Sequence, residues 1–282
     1  LHLQDVTPNV LTTINTPTEE FTIVPIGDVQ VQDNDKMVAE RMLRDHIKEV
    51  LDTQPNPMFI GMGDYIDLMS PSNRDKFSKG GFYDSTHEAM EAGAKRLEER
   101  FLNIVRGTEG KWIGLHEGHH FVTFRDGTTT DQHLAAALGT TFLGTCAYTR
   151  IKVTKKDSEE ARGIITLWSH HGEGSRKYPA SKLVEMVAPF WPNVDIFLMG
   201  HMHKADYQRM PRLDIQGQKV INKDVLAVVT GSWLKSYVID ESNYVEKKML
   251  APRSLGAPYI RVKPSSGGRG SGFLRRLQYI EG

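Results

Sequence analysis

The stretch Val194-Asp195-Ile196-Phe197-Leu198-Met199-Gly200-His201-Met202-His203 sets two histidines one residue apart directly behind an apolar run. A run this short and this apolar reads as a buried strand, and Gly200 lets the backbone turn at its end. After such a turn both imidazoles can converge on one point. Taken alone, a His-x-His pair is often two surface side chains, so its meaning depends on how the other apolar runs end.

Four others end in the same kind of residue. Phe21-Thr22-Ile23-Val24-Pro25-Ile26 leads to Gly27-Asp28, and Met58-Phe59-Ile60-Gly61 leads to Gly63-Asp64 with Asp67 close behind. Lys111-Trp112-Ile113-Gly114-Leu115 leads to Gly118-His119-His120, and Ile164-Ile165-Thr166-Leu167-Trp168 delivers His170-His171-Gly172. Six of the eleven histidines fall in these three pairs. In α/β proteins, polar groups at the carboxyl ends of neighbouring strands face one crevice, so the pattern predicts an α/β fold with a site at those ends.

Helical periodicity fills the gaps. Asp33 or Asn34 is expected to cap a helix running to about Asp52, with Leu43, Ile47 and Val50 on its apolar face. Ser85 with Glu88 reads as a capping box opening a helix that stops at Gly107. Shorter helices are expected at residues 131–138 and 181–190, and further strands at 148–153 and 259–262. Residues 225–230 and 233–239 read as a hairpin or two adjacent strands around Gly231. The long loop 68–84 is expected to be functional, and Tyr237, Tyr244 and the loop 252–258 to border the site. Residues 1–20 read as an irregular arm, 21–264 as a single domain, and 265–282 as a flexible segment containing Gly and Arg.

Lys+Arg and Asp+Glu both total 35, so the bulk charge does not suggest a nucleic-acid coat. The single cysteine, Cys146, excludes an intrachain disulfide and a Cys-rich zinc site. No apolar run approaches the roughly 20 residues of a membrane span, and the first residues lack the pattern of a signal peptide. The expectation is a cytoplasmic protein with no membrane partner. Residues 172–177 lack the Gly-Lys-Ser/Thr ending of a phosphate loop.

Carboxylates mixed with imidazoles suit manganese, iron or zinc better than calcium or magnesium. Two such ions roughly 3.5–4 Å apart can clamp a phosphoryl group for in-line attack. Here the chain resembles the calcineurin-like binuclear metallophosphoesterases. Their signature blocks are Gly-Asp-x-His, Gly-Asp-x-x-Asp, Gly-Asn-His, a His before Gly, and Gly-His-x-His. This sequence has, in that order, Gly27-Asp28-Val29-Gln30, Gly63-Asp64-Tyr65-Ile66-Asp67, Gly118-His119-His120-Phe121, His171-Gly172 and Gly200-His201-Met202-His203.

The resemblance implies two mixed β-sheets packed face to face with helices on the outer faces, a four-layer α/β/β/α sandwich. It implies that Asp28, Gln30, Asp64 and His203 hold one ion, and that Asp64, His119, His171 and His201 hold the other, with Asp64 bridging. His120 would be the catalytic histidine and Asp67 the carboxylate that orients it. Two divalent transition-metal ions follow, manganese first, with iron or zinc as alternatives. The implied activity is hydrolysis of a phosphomonoester or phosphodiester by a metal-bridged hydroxide, with His120 assisting. Arg74, Arg176 and Lys177 are the candidate phosphate contacts. The partner is then a phosphate-ester substrate, with nucleic acid as one candidate and the oligomeric state left open.

The sequence departs from the family pattern in three places. Gln30 stands where the family has His, and an amide binds a transition metal less tightly than imidazole, so the first site is expected to be weaker, differently selective or partly empty. His119 replaces Asn, and Phe121 replaces an acid. A rival alignment puts His116 in the catalytic position and Leu115 on a ligand position. His170 is read as packing or support, and His46, His87, His116 and His133 as structural or surface residues. Two alternatives stand beside the main reading: a DNA-end or single-strand nuclease of the same fold, and a non-catalytic binding or structural module that retains the fold with a degraded first site.

Overall fold

Two six-stranded mixed sheets form the centre of the molecule. The computed structural model describes residues 11–18, 20–69, 73, 76, 80–154, 161–241, 244–247, 249, 251–264 and 275–280. The elements are β1 (Leu11–Thr16), β2 (Phe21–Ile26), α1 (Glu40–Thr53), β3 (Pro57–Gly61), α2 (Asp84–Ile104), β4 (Trp112–His116), α3 (Thr130–Ala137), β5 (Phe142–Gly144), β6 (Cys146–Thr154) and β7 (Ala161–His170). There follow α4 (Pro179–Lys182), which runs on as a wide turn and a tight turn to Phe190, then β8 (Ile196–Met199), β9 (Asp206–Gln216), β10 (Lys219–Val229), α5 (Tyr244–Lys247), β11 (Tyr259–Pro264) and β12 (Arg275–Ile280). One sheet has the order β1-β6-β7-β8-β10-β9 and the other β12-β11-β2-β3-β4-β5.

The apolar runs are continuous because both faces of these strands are covered. In β2, Phe21 and Ile23 join the layer between the sheets, while Val24 and Ile26 join the core under the helices. In β8, Ile196 and Leu198 face the other sheet, while Phe197 and Met199 pack with Ala180, Leu183 and Ala188 of the α4 segment. The far side of the β2 sheet is covered by α1 and α2 through Leu43, Ile47, Leu97 and Phe101. The expected four-layer sandwich is therefore the observed one. β2, β3 and β4 run parallel, as do β7 and β8, so within each sheet the ligand-bearing strand ends share one edge.

Several local expectations are corrected. α1 begins at Glu40, because the Asn34 side chain accepts from the Lys36 amide in a local turn and Val38 bridges Leu234. Tyr83 precedes α2 with no side-chain cap, whereas a reciprocal capping box opens α3 at Thr129 and Gln132. Residues 233–239 form no strand; the partner of β10 is β9, whose Pro211 and polar residues hide its strand character. Pro is tolerated there because β9 is the last strand of its sheet. Within the expected irregular arm, Leu11–Thr16 pairs in parallel with β6, and within the expected flexible tail Arg275–Ile280 pairs with β11. Backbone pairing overrides polar composition in both cases. Among the described residues, no helix is long and apolar enough to cross a membrane.

One buried histidine makes the fold acid-sensitive. His46 packs against Trp233 and Tyr259 with ring centroids 5.3 and 6.3 Å away, and its Nε2 has no hydrogen-bond partner among the described residues. Burial lowers its imidazole from the ordinary 6.5 to about 4. The folded state thus favours the neutral ring, and its stabilising effect is complete above 6.5 and lost as pH falls toward 4. The difference corresponds to on the order of 3 kcal/mol. His46→Phe is expected to flatten the fall in unfolding free energy over that interval, measured by urea denaturation at each end. An equal loss in parent and variant would contradict the assignment.

Candidate metal centre

The five strand ends do converge, and they do so through an unusual backbone. Asp28, Gln30, Asp64, His201 and His203 all have positive φ, between 50° and 67°, and are five of the nine described non-glycine residues that do. Left-handed backbone costs energy for such residues and tends to cluster at functional sites. Close approach makes the same demand on two glycines. A Cβ on Gly118 would lie 2.1 Å from the Asp64 amide nitrogen, and one on Gly63 would lie 2.5 Å from His171 Nδ1.

Asp64 sits at the middle. Its Oδ1 accepts the amides of His119 and His120 at 2.5 and 3.0 Å, which fixes the carboxylate and leaves Oδ2 facing His171 Nε2 at 3.4 Å. Burial would raise this carboxyl, but His171 and His120 outweigh it and hold Asp64 well below the usual carboxylate range. His171 donates Nδ1–H to the Met62 carbonyl at 2.6 Å, so Nε2 presents its lone pair to the site. Burial acts to lower His171, yet the neighbouring Asp64 lifts it to about 9. The environment therefore demands positive charge at Nε2, which a proton or a cation can supply. His119 and His201 face each other with Nδ1 atoms 3.2 Å apart. Burial, then His171 and His119, lower His201 to about 4.

Two triads of ligand atoms lie within 4.8 Å of one another: His119, His171 and His201, and Asp28, Asp64 and His171. Asp28 Oδ1 and His171 Nε2 are buried and make no hydrogen bond among the described residues, with only the ion-pair contacts to His203 at 3.3 Å and Asp64 at 3.4 Å beside them. Orphaned polar atoms of this kind call for an ion, since an unsatisfied buried acceptor is costly. The nitrogen-rich set fits a divalent transition metal.

The Gln30 and His203 half differs. Asp28 Oδ2 accepts the His201 amide at 2.9 Å, and burial pushes this carboxyl up to about 7. His203 Nε2 lies 3.3 Å from Asp28 Oδ1 and 3.5 Å from the Gln30 amide nitrogen, and His203 belongs to neither triad. Its Nδ1 is 2.8 Å from Ser232 Oγ and 2.8 Å from Arg253 Nη1. Ser232 and Arg253 were not among the expected site residues. Their only sequence signal was Arg253's place in the loop 252–258.

His120 donates from Nδ1 to Asp67 at 2.9 Å, with Nε2 4.0 Å from Asp64 Oδ2. Burial acts to lower His120, and the Asp67 hydrogen bond with the surrounding carboxylates outweighs it, so the ring is shifted toward its charged form. His116 is excluded from this role: it is fully buried, bonded to Gly144 O and Ser169 Oγ, and lowered to about 3 by burial. His170 supports the turn, accepting the Gly172 amide at 2.7 Å.

Ordered motifs, strand-end placement and a nitrogen-rich ligand set now coincide. In motif order and strand-end placement the chain resembles the metallophosphoesterases. No protein-family profile matches its sequence, and no curated protein does. Among solved structures, a conserved uncharacterized protein described as a predicted phosphoesterase, from Streptococcus pneumoniae, is similar at 10% identity and TM-score 0.29, covering 93% of this chain and 99% of that one. A 5'-nucleotidase precursor from Thermus thermophilus is similar at 12% identity and TM-score 0.41 over 93% of this chain. This chain spans 54% of that precursor. Likenesses this distant carry no functional argument.

Of the expected phosphate contacts, Arg74 lies outside the described residues. Arg176 pairs with Glu185 at 3.3 Å, and Lys177 Nζ sits 5.3 Å from the Tyr178 ring centroid.

Proposed function

We propose that this metallophosphoesterase-like chain hydrolyses a phosphomonoester or phosphodiester in a metal-dependent reaction. The observation that carries the reading is the pair of buried atoms without a hydrogen bond among the described residues, Asp28 Oδ1 and His171 Nε2, grouped around Asp64 with His120, shifted toward its charged form, beside them. Asp64, His119, His171 and His201 would hold the ion, manganese first, with iron or zinc as alternatives. When bound, such an ion activates water and neutralises phosphoryl charge.

The chain's own residues do the rest. Two backbone amides fix Asp64, and the Met62 carbonyl fixes the tautomer of His171. Asp67 holds the Nδ1 proton of His120, which leaves Nε2–H to stabilise a phosphoryl oxygen or to protonate the leaving oxygen. Arg176 and Lys177 remain candidate phosphate contacts.

The test is turnover of bis-p-nitrophenyl phosphate and p-nitrophenyl phosphate by chelated chain resupplied with manganese, zinc or magnesium. Metal-restored turnover is expected, and none under any metal would overturn the reading. Nucleotides and labelled single- and double-stranded DNA in parallel would separate a small-ester enzyme from a nuclease.

A further inference from the structure

We infer that Arg253 closes the first metal position by taking the nitrogen on which His203 depends, so that the chain tightly holds one ion rather than two. The inference rests on the metal-dependent reading above and deepens it. Ser232 has one hydroxyl proton, and its Oγ donates to the Asp28 carbonyl at 3.0 Å while accepting the Leu234 amide at 3.0 Å. Toward His203 Nδ1, Ser232 can therefore only accept. That arrangement puts the proton on Nδ1 and leaves Nε2 bare for a cation, the usual way an outer partner prepares a ligating histidine.

Arg253 imposes the opposite demand. A guanidinium is always charged and only donates, so its Nη1 at 2.8 Å requires Nδ1 to be the acceptor. The imidazole proton then sits on Nε2, which has no lone pair left for a metal. Serine hydroxyl and guanidinium cannot both be satisfied by one nitrogen, so engagement by Arg253 and ligation by His203 are mutually exclusive.

The surroundings agree with closure. Gln30 offers an amide where an imidazole would be needed; its terminal amide lies 3.5 Å from His203 Nε2, and turned so that its oxygen faces the ring it accepts the Nε2 proton. A fixed positive charge beside His203 also repels a divalent ion. Asp28 loses nothing by this, because it shares its triad with Asp64 and His171, both of which belong to the retained set.

The experiment counts ions. Metal-free wild type, Arg253→Met and Arg253→Lys would be titrated with manganese and with zinc by calorimetry, and bound metal measured by mass spectrometry after gel filtration. Wild type is expected to hold one tight ion, with a second absent or weaker by about 10–100-fold. Arg253→Met is expected to strengthen the second ion by a similar factor, and Gln30→His added to it to strengthen it further. Nitrogen-15 shifts of His203 should report Nε2–H in the wild type and Nδ1–H in Arg253→Met, a readout that does not depend on metal. Two ions of equal affinity in the wild type, or second-ion binding and tautomer unchanged by Arg253→Met, would overturn the inference while leaving the phosphoesterase reading intact. No ion bound by any variant would overturn both.

Discussion

Asp64→Asn is expected to lower kcat/KM on bis-p-nitrophenyl phosphate by about a thousandfold or more, the several kcal/mol that a Lewis acid contributes at 1.36 kcal/mol per decade. The substitution preserves shape, which makes it informative. Asp64 Oδ1 already accepts two amides and Oδ2 faces His171 Nε2 at 3.4 Å. An Asn must turn its NH2 either onto those amide donors or toward the histidine, so it loses hydrogen bonds on one side or a ligand oxygen on the other. It also removes the largest charge supporting positive charge on His171. Bound metal should fall together with activity. Retention of a tenth of the activity with full metal content would remove Asp64 from the centre of the site.

His120→Ala is expected to cost about 10²–10⁴ in kcat, the range for a positioned proton donor. Metal content should be unchanged, because the His120 ring is held by Asp67 rather than by either triad. The size should depend on the substrate. If Nε2–H protonates the leaving oxygen, an alkyl ester suffers more than a nitrophenyl ester, whose leaving group needs little help. The pH profile gives a second check. The Asp67 bond and nearby carboxylates raise His120. Activity that needs the protonated ring is present below that raised value and declines as pH rises through it. This limb should vanish in His120→Ala and shift to lower pH in Asp67→Asn. Loss that is equal for both esters, with the pH limb intact, would make His120 a structural residue.

Both effects depend on geometry that the sequence only partly disclosed. The runs ending in Asp28, Asp64, His120, His171 and His201 were legible, because burial on both faces of a parallel strand demands continuous apolar residues and a ligand-type residue then stands out. The Thr129–Gln132 cap and strand Asp206–Gln216 were not legible. The first resembles many Thr-x-x-Gln spacings, and the second is a polar edge strand recognisable only from its pairing with β10.

The sequence by itself determined the order of the candidate ligands along the chain, the likeness to metallophosphoesterases and the amide at Gln30 in place of an imidazole, since each is carried by residue type and short-range spacing. Only the tertiary structure decided which of those ligands are free to act. Five of the candidate ligands sit on left-handed backbone, the Met62 carbonyl sets the tautomer of His171, and Arg253, fifty residues beyond His203, contends with Ser232 for its Nδ1. Whether a histidine can bind a metal depends on which nitrogen bears the proton, and that is set by neighbours distant in the chain.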